Sequence, residues 1–157
     1  RDKHVTGVQT CALPILLEVL GIEDITFDVG ERIFIGKEGR SKIQSVLGKM
    51  TYEKISSSAK NEIPVVVESI VRKNEQRFVD YLNNAQPLTP RVHALELIPG
   101  IGKTYLNSII REREKKPFEN YEDVKRRAGL KEPITHLTKR ILEEISGETR
   151  MNIFVKR

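Results

Sequence analysis

The stretch LELIPGIGKTYL, residues 95–106, decides how this sequence is interpreted. Within it, Gly102, Lys103 and Thr104 resemble the end of the phosphate-binding loop of nucleotide hydrolases. That loop also needs a glycine five residues before Gly102. Leu97 stands at that position, and residues 91–98 have the pattern of a helix rather than a strand. The glycine cluster therefore requires another explanation.

The pattern of an apolar residue followed by Pro-Gly-Ile-Gly, between two short helices predicted over residues 91–98 and 103–115, describes a helix-hairpin-helix. Pro99 ends the first helix, and the two glycines allow backbone conformations that other residues rarely adopt. Ile101 is expected to turn inward between the helices and to fix the hairpin.

The start of the second helix predicts an anion site, because free N–H groups and the positive end of the helix dipole favour a phosphate. Glycine lets a phosphate approach the backbone closely, a lysine adds charge, and a threonine adds a hydroxyl donor. Such contacts carry no base sequence and weaken steeply with salt. A turn that is merely structural, or that contacts a protein, stays open. The predicted phosphate-binding residues are Gly100, Ile101, Gly102, Lys103 and Thr104.

One hairpin holds only a few phosphates, so useful binding requires a second basic contact. One candidate is the run Lys125, Arg126 and Arg127, close to a second predicted hairpin; the other is the glycine-flanked loop with Lys37 and Arg40. Both sets are open to the alternative of ordinary solvated charge.

The distribution of charge is more informative than its total. The 157 residues carry a net charge of +5. Residues 91–157 hold 15 Lys and Arg against 10 Asp and Glu, whereas residues 1–90 hold 12 of each. The whole excess therefore lies in the half with the glycine cluster, which suits a polyanionic partner.

Composition favours an intracellular, cytoplasmic globular protein. Hydrophobic residues make up 38% and charged residues 31%. The longest apolar runs, such as residues 63–67, are far too short to cross a bilayer, so no membrane partner is expected. A single cysteine, Cys11, excludes an internal disulfide framework.

The first fifteen residues differ from the rest of the chain. RDKHVTGVQTCALPI, residues 1–15, has no clear periodicity, and back-translation of residues 5–15 resembles the adapter of short-read sequencing libraries. We therefore set residues 1–15 aside from the predicted fold, assign no chemistry to His4 or Cys11, and expect the natural N-terminus to be missing.

The remaining sequence predicts four regions. Residues 16–50 read as a partial β region with strands LLEVLGI and ERIFIG, followed by a helix over residues 41–49. Residues 51–90 form a helical connector, with one long helix from residue 59 to about residue 84 and a proline-rich end. Residues 91–146 predict four helices, over residues 91–98, 103 to about 115, 121 to about 128 and 134–145, the third capped by Asn120. Residues 147–157 end in a strand that returns to the β region.

Residues 94–130, ALELIPGIGKTYLNSIIREREKKPFENYEDVKRRAGL, resemble the tandem helix-hairpin-helix domains of competence-type DNA-binding proteins. Two features depart from that family. Leu106 replaces a common alanine, and the second turn, GLKEP, lacks the second glycine and carries a carboxylate. The resemblance therefore implies phosphate binding at the first turn only.

Residues 16–157 also resemble a family of uncharacterised archaeal proteins, through LLEV, GERIFIGK, EIPVVVESIVRKNEQRFVDYLNNAQP, LELIPGIGK, REKKPFE and IFVKR. That resemblance implies an OB-like β-barrel joined to a helix-hairpin-helix region, and nucleic-acid binding. The predicted fold is thus α+β: a partial OB-like barrel, a helical connector, a tandem helix-hairpin-helix domain and a C-terminal strand returning to the barrel.

The sequence offers no catalytic constellation and no cofactor pattern. His93 and His136 lie far apart without cysteine or carboxylate partners at ligand spacing, so no metal site is predicted. The preferred function is binding of DNA or RNA through backbone phosphates, without sequence specificity and without enzyme activity. The alternative is a protein–protein adaptor, in translation or repair, that uses the helical repeats as a partner surface.

Overall fold

The computed structural model describes residues 3–9 and 15–155, with side chains from Leu16 onward. The chain is an α+β protein, and its residues cluster into two compact units. The sheet unit comprises Arg1–Val67 and Ile141–Arg157, and the helical unit comprises Glu68–Arg140. The strands are β1 (Lys3–Gln9), β2 (Ile15–Gly21) and β3 (Ile43–Lys49), and the helices are α1 (Ser57–Lys73), α2 (Glu75–Asn84), α3 (Lys103–Lys115), α4 (Tyr121–Ala128) and α5 (Pro133–Ile145).

The described strands of the sheet unit form one antiparallel sheet in the order β1-β2-β3. In β2 the side chains of Leu17 and Val19 are buried, as alternation along a half-buried strand requires. Val19 lies opposite Val46 of β3, and Ile43 begins β3 as a buried residue. Leu16 is buried as well, although alternation places it on the opposite face, so branched aliphatic side chains are buried on both faces of β2.

β1 lies within the segment that the sequence analysis set aside. Its backbone pairs with β2 from Lys3 opposite Gly21 to Gln9 opposite Ile15. Leaving Lys3–Gln9 out of the fold was therefore wrong. Ladder hydrogen bonds join backbone groups that every residue except proline possesses, so this pairing does not bear on where the segment came from. Cys11 lies outside the described residues.

Two predictions in the sheet unit were wrong. ERIFIG, residues 31–36, is not a strand, and the carbonyls of Ile35 and Gly36 accept hydrogen bonds from Nε of Arg40 rather than from a neighbouring strand. Residues 41–49, predicted as a helix, instead supply β3. The apolar residues of this segment fit either period, but Gly48 has φ of 141°, which no helix contains.

The long connector helix was predicted as one element and is two. Ser56 caps α1, its Oγ accepting a hydrogen bond from the N–H of Ala59 at 3.2 Å. At Asn74 the backbone leaves the helical conformation (φ −110°, ψ 40°), and the side-chain amide donates to the carbonyl of Ile70 at 2.8 Å. The asparagine side chain competes with the helix backbone there, which separates α1 from α2.

In the helical unit, the predictions of α3, α4 and α5 are confirmed to within one residue. Asn120 caps α4 by accepting from the N–H of Asp123 at 2.8 Å. The helix predicted over residues 91–98 was too long, since the segment contains only the 3₁₀ turn Ala94–Leu97. Pro99 and the preceding extended Ile98 leave no room for a full helix.

The C-terminal segment does not form the predicted strand within residues 151–155. Instead, one carboxylate oxygen of Glu144 accepts the backbone N–H groups of Ile153, Phe154 and Val155, each at 2.9 Å. Glu144 is itself buried. A side chain of α5 thus satisfies donors that a neighbouring strand would otherwise have paired.

Candidate nucleic-acid interface

We name residues 99–102 the glycine turn; it connects the 3₁₀ turn to α3. Gly100 has φ of 85°, which favours glycine. A Cβ at Gly100 would also lie 2.4 Å from Cε1 of His136. Ile101 is buried and its N–H donates to the carbonyl of Ile98 at 3.1 Å. Ile101 therefore fixes the turn, and its predicted contact with phosphate stays a prediction.

α3 begins at an open N-terminus. Gly102 is its N-cap residue, and no side-chain hydrogen bond caps the helix within the described part of the chain. Gly102 is exposed, and a Cβ added there would meet nothing within 4 Å. Thr104 is also exposed. The first N–H groups of α3 lack intrahelical partners, so they present donors and a positive dipole end to solvent.

Two side chains of α5 donate hydrogen bonds to backbone carbonyls in and just before the glycine turn. Nδ1 of His136 donates to the carbonyl of Pro99 at 2.7 Å, because a carbonyl can only accept. Arg140, buried and one helical turn later, donates to the carbonyl of Leu97 at 3.0 Å. These bonds hold the carbonyls of the segment against α5, which leaves the N–H groups at the start of α3 for a ligand.

Lys103 lies at the first position of α3, but it is not a free charge. Its Nζ is 2.7 Å from a carboxylate oxygen of Glu96 and 3.3 Å from the carbonyl of Arg91. The hydrogen bond from Lys103, together with the N–H of His93, holds the pKa of Glu96 below its ordinary value. The Lys103 side chain remains 68% exposed, whereas that of Glu96 is 16% exposed.

Glu96 is positioned by a capping box at the start of the 3₁₀ turn. Its carboxylate accepts from the N–H of His93 at 2.8 Å, while Nδ1 of His93 accepts from the N–H of Leu95 at 3.1 Å. Burial, followed by the positive charge of Arg113, lowers the pKa of His93 below its ordinary value. Only the neutral imidazole can accept this hydrogen bond at Nδ1. The lowered pKa favours that neutral form and is therefore consistent with the role of His93 as a cap.

The three basic residues of α4 have different roles. Arg127 is only 17% exposed and donates to Asp123 at 2.9 Å and to the carbonyls of Glu112 and Lys116 at 2.6 Å each. Its guanidinium is used to join α4 to the end of α3, which argues against a phosphate contact. Arg126 is 74% exposed and pairs with Asp123 at 2.8 Å, and Lys125 is exposed.

Lys37 and Arg40 belong to the sheet unit. Arg40 donates through Nε to the carbonyls of Ile35 and Gly36 and through a terminal nitrogen to Gln44, all at 3.0–3.1 Å. Arg40 therefore closes its own loop, whereas Lys37 is exposed.

The second turn has the backbone pattern of the first but leads into a different helix start. Gly129 has φ of 75° and Leu130 is buried, as Gly100 and Ile101 are in the glycine turn. However, Pro133 opens α5, and proline has no N–H to offer. The prediction that only the first turn binds phosphate is therefore consistent with the missing N–H group of Pro133.

Sequence reasoning missed His136, Arg140 and Glu96. His136 and Arg140 are four residues apart, a spacing that places them on one face of α5, but only the fold brings the glycine turn to that face. Glu96 stands three residues after His93, which is the spacing of a capping box. A histidine is not among the favoured N-cap residues, so the pattern gave no signal.

Within residues 3–9 and 15–155, no cluster of three metal-ligating side chains is found. In the same part of the chain, none of the helices has the length and apolar character that crossing a bilayer demands.

The fold and the turn define an α+β protein in which a helical unit exposes an uncapped, cation-flanked helix start. The chain belongs to the family described as "Protein of unknown function (DUF655)", whose model matches residues 1–156. The prediction of an uncharacterised archaeal family is thereby confirmed.

Two relatives from archaea place the chain further. It is 40% identical to "Uncharacterized protein MJ0038" of Methanocaldococcus jannaschii over 144 residues, which cover 90% of this chain and 66% of that protein. The chain thus spans slightly less than two thirds of this curated relative. The crystal structure of Af1531 from Archaeoglobus fulgidus, a member of the same family, matches with a TM-score of 0.88 and 34% identity over 99% of this chain and 87% of that one.

Proposed function

We propose that the chain binds DNA or RNA through backbone phosphates, without sequence specificity, at the start of α3. The observation that carries the proposal is the uncapped, exposed helix start at Gly102, which follows a glycine of positive φ. Helix starts of this kind bind phosphates because several N–H donors and the helix dipole act on one anion. Lys103 and the hydroxyl of Thr104 stand beside these donors.

The proposal includes the finer fold assignment, in which the 3₁₀ turn, the glycine turn and α3 form a helix-hairpin-helix. The repeated Gly-aliphatic turn at Gly129 and Leu130 supports a tandem arrangement. The assignment of an OB-like barrel to the sheet unit is also a proposal. Three antiparallel strands are described there, whereas an OB fold has five.

The charge of the two units supports the same function. The helical unit, Glu68–Arg140, holds 15 Lys and Arg against 10 Asp and Glu, and the residues of the sheet unit hold 12 of each. The entire net charge of +5 thus belongs to the unit with the glycine turn. A positive field raises the local concentration of a polyanion and speeds its association.

The test is a fluorescence-anisotropy titration of single- and double-stranded DNA and RNA oligonucleotides at two salt concentrations. We expect salt-sensitive binding that falls by at least about tenfold in Lys103→Glu, since the variant places a carboxylate beside the phosphate and leaves Glu96 unpaired. The control is Lys131→Glu, which changes the net charge equally at an exposed residue of the second turn.

Equal losses in the two variants would mean that net charge rather than the glycine turn governs binding. Absence of binding to every oligonucleotide, by protein with a native circular dichroism spectrum, would refute the proposal. That outcome would favour the adaptor hypothesis, for which the exposed Leu88 and Val92 offer an apolar contact surface.

A further inference from the structure

The turn formed by residues 88–92, which we name the 88–92 turn, lies close to the side chain of Lys103, the first residue of α3. The link is the hydrogen bond from Nζ of Lys103 to the carbonyl of Arg91, at 3.3 Å. From the sequence, residues 51–90 were predicted to form a connector with a proline-rich end, and no role was predicted for Arg91. The structure instead places Arg91 beside the candidate phosphate site.

The 88–92 turn is closed by its own hydrogen bonds. The N–H of Leu88 donates to the carbonyl of Val92 at 2.8 Å, and the N–H of Val92 donates back to the carbonyl of Thr89 at 3.3 Å. The hydroxyl of Thr89 accepts the N–H groups of Arg91 at 3.2 Å and of Val92 at 3.0 Å. Pro90 restricts the backbone further. The Cα of Arg91 is therefore presented from a fixed backbone rather than a loose linker.

Local charge makes Arg91 important to the site. Lys103 is paired with Glu96 at 2.7 Å, so this pair contributes little net charge to an approaching phosphate. Arg91 is exposed and forms no ion pair within the part of the chain that the structure describes. Because the backbone carbonyl of Arg91 is 3.3 Å from Nζ of Lys103, Arg91 brings an uncompensated positive charge to the surroundings of the first residue of α3.

We infer that Arg91 is a second phosphodiester contact, binding a phosphate adjacent to the one at the start of α3. The inference rests on the proposed function and adds a residue to it. A guanidinium is suited to this task because it presents a fork of donors that matches two phosphate oxygens. The recognised chemistry is the phosphodiester backbone, which DNA and RNA share.

The test measures affinity against salt for Arg91→Gln in the full chain, with labelled duplex DNA, single-stranded DNA and single-stranded RNA. Each phosphate contact contributes about 0.9 to the slope of log K against log salt for duplex DNA and about 0.7 for single strands. We expect Arg91→Gln to lower the duplex slope by about 0.9 and, from the same relation, the affinity about eightfold at 0.1 M salt. Comparison of the three oligonucleotides identifies the preferred source of the phosphodiester.

Two further variants control for charge and geometry. Arg72→Gln removes the same charge from an exposed arginine of the helical unit that pairs with Glu68 at 2.8 Å, and it should change slope and affinity little. Arg91→Lys keeps the charge without the fork, and it should recover most of the slope but not the full affinity.

A salt slope in Arg91→Gln that equals the slope in Arg72→Gln, while Lys103→Glu still loses binding, overturns the inference and leaves the proposed function standing. If the wild-type chain binds none of the oligonucleotides, the proposed function fails and the role of Arg91 fails with it.

Discussion

The two glycines of the glycine turn have different structural requirements, although both were assigned to phosphate approach. Gly100 combines a φ of 85° with the ring of His136 against its Cα. Gly102 has an ordinary extended backbone and open space where a Cβ would stand. Gly100 is thus required by the fold, whereas the fold leaves room for a side chain at position 102, so glycine there would be required only by the proposed phosphate contact.

Alanine substitutions separate these roles. Gly100→Ala should lower the free energy of unfolding by about 1–3 kcal/mol, because alanine is strained at positive φ and its Cβ displaces His136 from Pro99. Gly102→Ala should change stability by less than about 0.5 kcal/mol, yet weaken nucleic-acid binding by placing a methyl group over the N–H donors. Urea denaturation and anisotropy titration of both variants measure the two effects.

A stable Gly100→Ala protein would show that the turn does not depend on this glycine. Unchanged binding by Gly102→Ala would mean that no phosphate approaches the start of α3 as closely as proposed.

At the residue level, chemistry that is local to the sequence was predictable and chemistry that depends on packing was not. Ile101 was correctly expected to turn inward, since an aliphatic side chain between two helices is stabilised by burial. The support from His136 could not be predicted, because it depends on α5 packing against a turn 37 residues away.

Among the elements, α3 and α4 are joined by a partly buried arginine rather than only by apolar contact. Arg127 bonds to two carbonyls at the end of α3 and stacks its guanidinium 4.8 Å from the centroid of Phe118. Its neighbour Arg126 is 74% exposed. Adjacent residues of one basic run therefore have opposite functions, one in stability and one at the surface.

Lysine substitutions test this difference at constant charge. Arg127→Lys should lower the free energy of unfolding by about 2 kcal/mol, because one ammonium cannot satisfy two carbonyls and Asp123 together. Arg126→Lys should change it by less than about 0.5 kcal/mol. Equal stability of the two variants in urea would contradict the structural role of Arg127.

The helices were predicted well and the strands poorly, for a physical reason. α3, α4 and α5 carry their own start and stop signals, such as Asn120 and Gly129. A strand needs a partner elsewhere in the chain, and ERIFIG has the composition of a strand, but its last two carbonyls accept hydrogen bonds from Arg40 instead. The C-terminal segment likewise gave its N–H groups to Glu144 instead of to a strand.

For the whole molecule, the division into two units coincides with the division of charge. The sheet unit is neutral overall, and the helical unit carries the full excess of +5. Electrostatic attraction to a polyanion should therefore act on one unit, whichever nucleic acid is bound.

Hydrogen exchange of the full chain, with and without bound oligonucleotide, measures this directly. We expect added protection in residues 88–106 and unchanged exchange in residues 15–50, since the proposed phosphate contacts all lie in the helical unit. Added protection around Lys37 would instead return the sheet-unit loop to the interface, as one of the original hypotheses required.

The ion pair between Lys103 and Glu96 has a consequence for how such sequences diverge. The capping box is satisfied by either glutamate or glutamine, so exchange between these residues at position 96 leaves the fold unchanged. The same exchange releases the positive charge of Lys103 toward a phosphate. Under the proposed function, affinity for a polyanion could therefore change through position 96 alone, while the capping box is kept.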